Sequence, residues 1–144
     1  MSHNPPVIIA AVDQSDMLEA VVARARHLAE CQNGTLIVLH VIPEKGSSLF
    51  NASYGDLVIG GIDEKAVEIE EQVRLDLIPR LESVGVKASA LQLVTGTPAK
   101  AVQEQLEHSG ADMLVVGQPK ARLGSVATNM AKNAVCDVYI VRVQ

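Results

Sequence analysis

At 144 residues the chain fits one domain, 1–144, and can bury about 70% of the surface its unfolded form exposes, so its core needs no staples. A net charge of −5 and an aromatic content of 2% argue against a duplex-DNA binder, which needs a basic face, and against a single-strand binder, which needs stacking platforms. They also disfavour attraction to an anionic membrane surface, and no apolar run reaches the length of a membrane span.

The N-terminus, "MSHNPP", lacks the apolar core of a signal peptide, and a cytoplasmic location is the expectation. The run "VIIAAV", Val7 to Val12, is continuously apolar and stops at Asp13, the pattern of a strand covered on both faces. Leu18, Val21, Val22, Ala25, Leu28 and Ala29 then recur at helical spacing. Ser15 is the expected N-cap of that helix, Asp16 and Glu19 supply acids to its first turn, and Gly34 is expected to end it. "TLIVLHVI", Thr35 to Ile42, reads as a second buried strand.

Residues Pro43 to Ile62 show no clear period and include the one Phe. They read as a long connection with a helical turn, placed to cover a site. A helix follows with the stripe Ala66, Ile69, Val73, Leu77, Leu81 and Val84 and a solvated acidic face. Pro79 is expected to kink it or loosen its last turns, and Gly85 to stop it. "VKASALQLV" alternates as a third strand. Thr97 and Pro98 open a helix that Gly110 closes. "ADMLVVG" is a fourth strand ending at Gly117, "LGSVATNMAKNA" a short helix and "CDVYIVRV" a fifth strand. Alternation of this kind gives an α/β fold, a parallel sheet with helices on both faces and right-handed crossovers.

In open parallel sheets, ligands bind beyond the carboxyl ends of strands where strand order reverses. With the order 3-2-1-4-5 that point lies between the first and fourth strands, whose ends are Asp13 and Gly117. The stretch after Gly117 holds Lys120, Arg122, Gly124 and Ser125 and no acid. A turn entering a helix presents unpaired N–H groups and the positive end of the helix dipole, where phosphate binds readily. Asp13 could accept from ribose hydroxyls or hold a divalent cation. Each residue also has a plain structural alternative. Asp13 can be a turn residue, Gly117 can permit a sharp bend, Gly124 can start a helix, Ser125 can be an ordinary cap, and Lys120 and Arg122 can be solvated charges.

The pieces "VIIAAVDQSDMLEAVVARA", "LIVLHVI", "LQLVTGTPAKAVQEQLEHSGADMLVVG" and "GSVATNMAKNAVCDVYIVRV", in this order and spacing, resemble the universal stress protein family over almost the full length. The resemblance implies a Rossmann-like, flavodoxin-like doubly wound domain with the order 3-2-1-4-5. It also implies a homodimer formed by antiparallel pairing of the last strand across a two-fold axis. One branch of the family binds ATP through G-x2-G-x9-G-[ST] after the fourth strand, and another does not. By that likeness Ala11, Asp13, Val41, Gly117, Lys120, Arg122, Gly124, Ser125 and Val126 are the candidate nucleotide contacts, with Asp13 meeting ribose or a nucleotide-held Mg2+ and Val41 meeting adenine. This sequence departs from the pattern in three places. Lys120 stands where the second glycine would be, the segment before Gly124 is about six residues short, and Gln14 replaces a glycine. A shorter loop with a side chain at that position suits a smaller phosphate load, AMP or ADP, held by Lys120 and Arg122.

The histidines His3, His27, His40 and His108 lack metal-ligand spacing. His40, in a buried strand, is expected to be a satisfied core residue, and His108 to sit against a helix dipole. Cys31 and Cys136, far apart and in apolar context, are expected to be buried, inert thiols. The first functional reading is a regulatory protein with a degenerate site for ATP, ADP or AMP and Mg2+. An alternative is a dimeric interaction module that binds no cofactor, its cleft filled by its own side chains. A third is a slow phosphotransferase or ATP hydrolase.

Overall fold

A computed structural model describes residues 4–54, 63–119 and 125–143. The elements run β1 (Val7–Val12), α1 (Leu18–Cys31), β2 (Thr35–Ile42), α2 (Ser48–Tyr54), α3 (Asp63–Ser83), β3 (Leu91–Thr95), α4 (Pro98–Ser109), β4 (Met113–Pro119), α5 (Ser125–Asn133) and β5 (Asp137–Val143). The five strands form one sheet in the order β3-β2-β1-β4-β5, all parallel, as the switch-point reading required.

The continuous apolar runs of β1, β2 and β4 have one cause: each is packed on both faces. Ile8 and Ala10 of β1, Val38 and Ile42 of β2 and Val115 of β4 meet α1, α2 and α3. Ile9, Leu39, Leu114 and Val116, one step out of phase, meet Val102 and Leu106 of α4 and Ala127 and Met130 of α5. Successive strand residues point to opposite faces, so a two-sided sheet has no polar side to alternate with.

Several local expectations are corrected. β3 begins at Leu91, because Ala88–Ala90 form a single 3-10 turn closed by Ala90 N–H on Lys87 O at 3.0 Å. β4 runs two residues past Gly117, to Pro119. α3 passes through Pro79 unbroken. The bond that Pro79 forfeits belongs to the carbonyl of Leu75, whose side chain is 68% exposed, so water can reach that side of the helix and donate instead. α1 ends at Cys31 and Asn33 carries the left-handed backbone (φ 50°). Gly34 serves a different purpose: a Cβ there would lie 2.7 Å from Pro6 O, where the chain of β2 starts beside β1. The long connection holds α2, whose Phe50 and Tyr54 rings pack 5.5 Å apart and are buried against α1 and α3. Residues 55–62 lie outside the described residues.

The α3 stripe supplies the largest part of the core beneath β2, with Val73, Leu77 and Leu81 fully buried. Leu77→Ala is expected to lower unfolding free energy by about 2–5 kcal/mol, read as a fall in the urea midpoint at unchanged slope. A loss under about 1 kcal/mol would mean that α3 is only loosely seated.

Candidate functional site

β1 and β4 are in register from Ile8 beside Met113 to Ala11 beside Val116, so their carboxyl ends finish side by side. Asp13 is exposed just beyond β1, and its Oδ1 accepts the backbone N–H of Ser15 at 3.0 Å. Ser15 is therefore no helix cap. Its hydroxyl accepts Met17 N–H at 3.3 Å within the turn, and α1 opens one residue later at Leu18. The Asx turn holds the acid at the strand tip and uses one of its two carboxylate oxygens.

Ala11, Val41 and Val126 are half-buried, and each packs against the core cluster on the α4/α5 face, as does Val94 of β3. Val94 was not singled out in the sequence, since only the pairing of Val41 with Val94 places it there. Of these, Val41 and Val94 are paired neighbours, and Ala11 lies two residues before Asp13 on the same face of the sheet. Gly117 sits inside β4, paired with Val141, and makes no sharp bend. A Cβ on it would lie 2.8 Å from Val21 Cγ2 and 3.5 Å from Met17 Sδ, so the missing side chain lets α1 approach the sheet. Ser125 is the first residue of α5. Lys120, Arg122 and Gly124 lie outside the described residues.

The turn that carries Asp13 is held by a polar network with little sequence signal. The guanidinium of Arg80 in α3 donates to both carboxylate oxygens of Glu19, at 3.1 and 3.0 Å from Nε, and to the backbone carbonyls of Ser15 and Gln14. Gln14 accepts from Tyr54 OH at 3.0 Å and donates to Asp76 at 3.1 Å. Arg80 thereby holds the Glu19 carboxyl below the usual carboxylate range, and Glu19 raises Arg80 in return. Burial, then Asp76, pushes the Tyr54 phenol up. These partners are some forty to sixty residues apart in the chain, so no local pattern announces them.

His40 is only half satisfied. It is 5% exposed, its Nδ1–H donates to Val12 O at 3.0 Å, and among the described residues its Nε2 has no hydrogen-bond partner. It points to the α1/α3 face, the opposite face from Val41. Burial pulls its pKa below 6.5, although Val12 O, Asp13 and Asp76 work the other way. Cys31, expected to be buried, is exposed, because it lies two residues past Ala29 and so on the far side of the helix from the buried stripe. Cys136 is half-buried, which pushes its thiol up. No group of three or more metal-ligating side chains occurs among the described residues, and no described helix is long and apolar enough to cross a membrane. An open groove of about 430 Å³ lies at the opposite end of the sheet, lined by Arg26, Glu30, Thr35, Gly85, Lys87 and Ser89, and includes none of the predicted site residues.

The sequence profile of the universal stress protein family matches residues 6–142. The chain is 30% identical over 151 aligned positions to universal stress protein YxiE of Bacillus subtilis, covering 94% of this chain and 97% of that one. Among solved structures, universal stress protein UspA from Lactobacillus plantarum superposes with a TM-score of 0.67 at 21% identity, covering 98% of this chain and all of that one. A universal stress protein family protein from Arabidopsis thaliana, solved with AMP bound, superposes with a TM-score of 0.63 at 16% identity, covering 97% of this chain and 93% of that one.

The unfolded chain protonates His40 near its ordinary value of 6.5, whereas the folded protein resists the proton. Its contribution to stability is therefore complete above that value and is lost as pH falls through 6.5 toward the lower folded pKa. His40→Leu is expected to shrink the fall in urea midpoint between about pH 7.5 and 5.5. An equal fall in both proteins would show that the imidazole takes a proton without cost.

Proposed function

Because the chain belongs to the universal stress protein family, we propose that it is a regulatory protein of the cytoplasm that binds an adenine nucleotide of small phosphate load, AMP or ADP, at the crevice between the carboxyl ends of β1 and β4. The observation that carries this is an exposed, turn-held carboxylate at the switch point of the sheet, with half-buried apolar residues on the α4/α5 face. The residues fit the ligand in chemistry. Ala11, Val41, Val94 and Val126 offer an uncharged surface to a base. Asp13 offers an acceptor to ribose hydroxyls, or a ligand to a nucleotide-held Mg2+. The phosphates fall to Ser125 at the start of α5, where free N–H groups and the helix dipole favour an anion, with Lys120 and Arg122 from the preceding segment.

The role is binding, with signalling through the surface, and not rapid turnover. A hydrolase would need a base near the phosphates, and the buried imidazole described above lies on the other face of the sheet. β5 is an edge strand with the apolar sequence "DVYIVRV" and with Ile140 exposed, so the protein is proposed to pair this edge with a second copy across a two-fold axis.

Titration calorimetry with AMP is expected to show saturable binding to the purified protein. Asp13→Asn keeps the acceptor that closes the turn and removes the charge, and is expected to weaken AMP at least about tenfold with little change in melting temperature. Neither heat nor a thermal shift with millimolar AMP, ADP or ATP would overturn the nucleotide reading and favour an interaction module. For the dimer, light scattering on a sizing column is expected to give twice the chain mass, and Ile140→Arg to give the single mass. A native protein that elutes as a monomer at every concentration rules the pairing out.

A further inference from the structure

His27 and Cys31 lie one turn apart on the exposed side of α1, and no part of the nucleotide reading uses them. Their facing atoms, His27 Nε2 and Cys31 Sγ, are 3.7 Å apart and share a hydrogen bond, which a cation would replace. A tetrahedral cation bound at about 2.0–2.1 Å from an imidazole nitrogen and about 2.3 Å from a thiolate sulfur holds those two atoms about 3.5 Å apart. The pair already has that bite, because residues four apart on a helix sit one above the other. Cys31 is the last residue of α1, and the last turn of the helix contains no basic side chain. The negative end of the helix dipole is thus left to attract a positive charge. Arg24, one turn before His27 on the same stripe, is drawn aside onto the Tyr139 ring and hydroxyl, so its charge is directed away.

We infer that His27 and Cys31 form a two-ligand surface site for a borderline-soft divalent transition cation of the zinc class, with water completing the coordination. One imidazole and one thiolate select such cations over Mg2+ and Ca2+, which prefer oxygen. Binding replaces the thiol proton, which passes to solvent, with a metal–sulfur bond; no electron is transferred. α1 spans 14 residues, about 21 Å, with Asp13 just before one end and this pair at the other. The two sites can therefore succeed or fail separately.

Titration of the reduced full chain with Co2+ is expected to produce a saturable thiolate-to-metal absorption in the near ultraviolet, one cation per chain, which Zn2+ then displaces. Cys31→Ser, at an exposed position that does not threaten folding, is expected to abolish the band. His27→Gln is expected to weaken the affinity at least about tenfold while leaving AMP binding unchanged. The absence of a saturable band, its survival in Cys31→Ser, or undiminished affinity in His27→Gln would each overturn the site.

Discussion

The structure depends on β1 being central and dry. Its strand is flanked by β2 and β4 in parallel register, covered by α1 on one face and by the core of α4 and α5 on the other. Ile8, Ile9 and Ala10 are 1% exposed or less, so the strand has nowhere to slip without placing methyl groups in water. That fixed register carries the acid of the following turn to the carboxyl ends of β1 and β4, where the strand order reverses.

Topology alone would leave the turn loose. Residues 13–17 are not helical, and Met17 at the start of α1 makes no side-chain cap. Arg80 fastens the turn from a distance, donating to the two carbonyls of the turn and to the carboxylate of Glu19. Its planar fork suits several acceptors at once, which a lysine could not match. Gln14, which by the family resemblance replaces a glycine, is drawn into the same network by Tyr54 and Asp76. A residue that looked like a defect in a binding motif thus has a structural task. It fastens the short helix of the long connection to the turn bearing the acid.

The two ends of α1 differ in character. Its beginning is crowded: Met17 and Val21 press against the glycine of β4, and acids and Arg80 neutralise one another around the turn. Its far end is open, with no basic residue in the last turn and a thiol and an imidazole facing solvent. One helix so carries a scaffold task at its start and unassigned chemistry at its close, and the apolar stripe between them is what keeps the ends apart.

Much of this was legible in the chain. Unbroken apolar runs announced strands buried on two faces, and the spacing of Val21, Val22, Ala25 and Ala29 announced the helix between them. The acid at the tip of β1 was legible too, because a strand's end shows directly as the stop of its apolar run. These are consequences of local period, which depends only on neighbours in sequence. The tertiary structure decided what depends on neighbours in space. It paired Val94 with Val41, turned Gly117 into a seat for α1, drew Arg80 to a turn more than sixty residues earlier, and left the Nε2 of His40 without a hydrogen-bond partner among the described residues. Burial and pairing arise from three-dimensional packing between distant segments, and no window along the chain contains both partners.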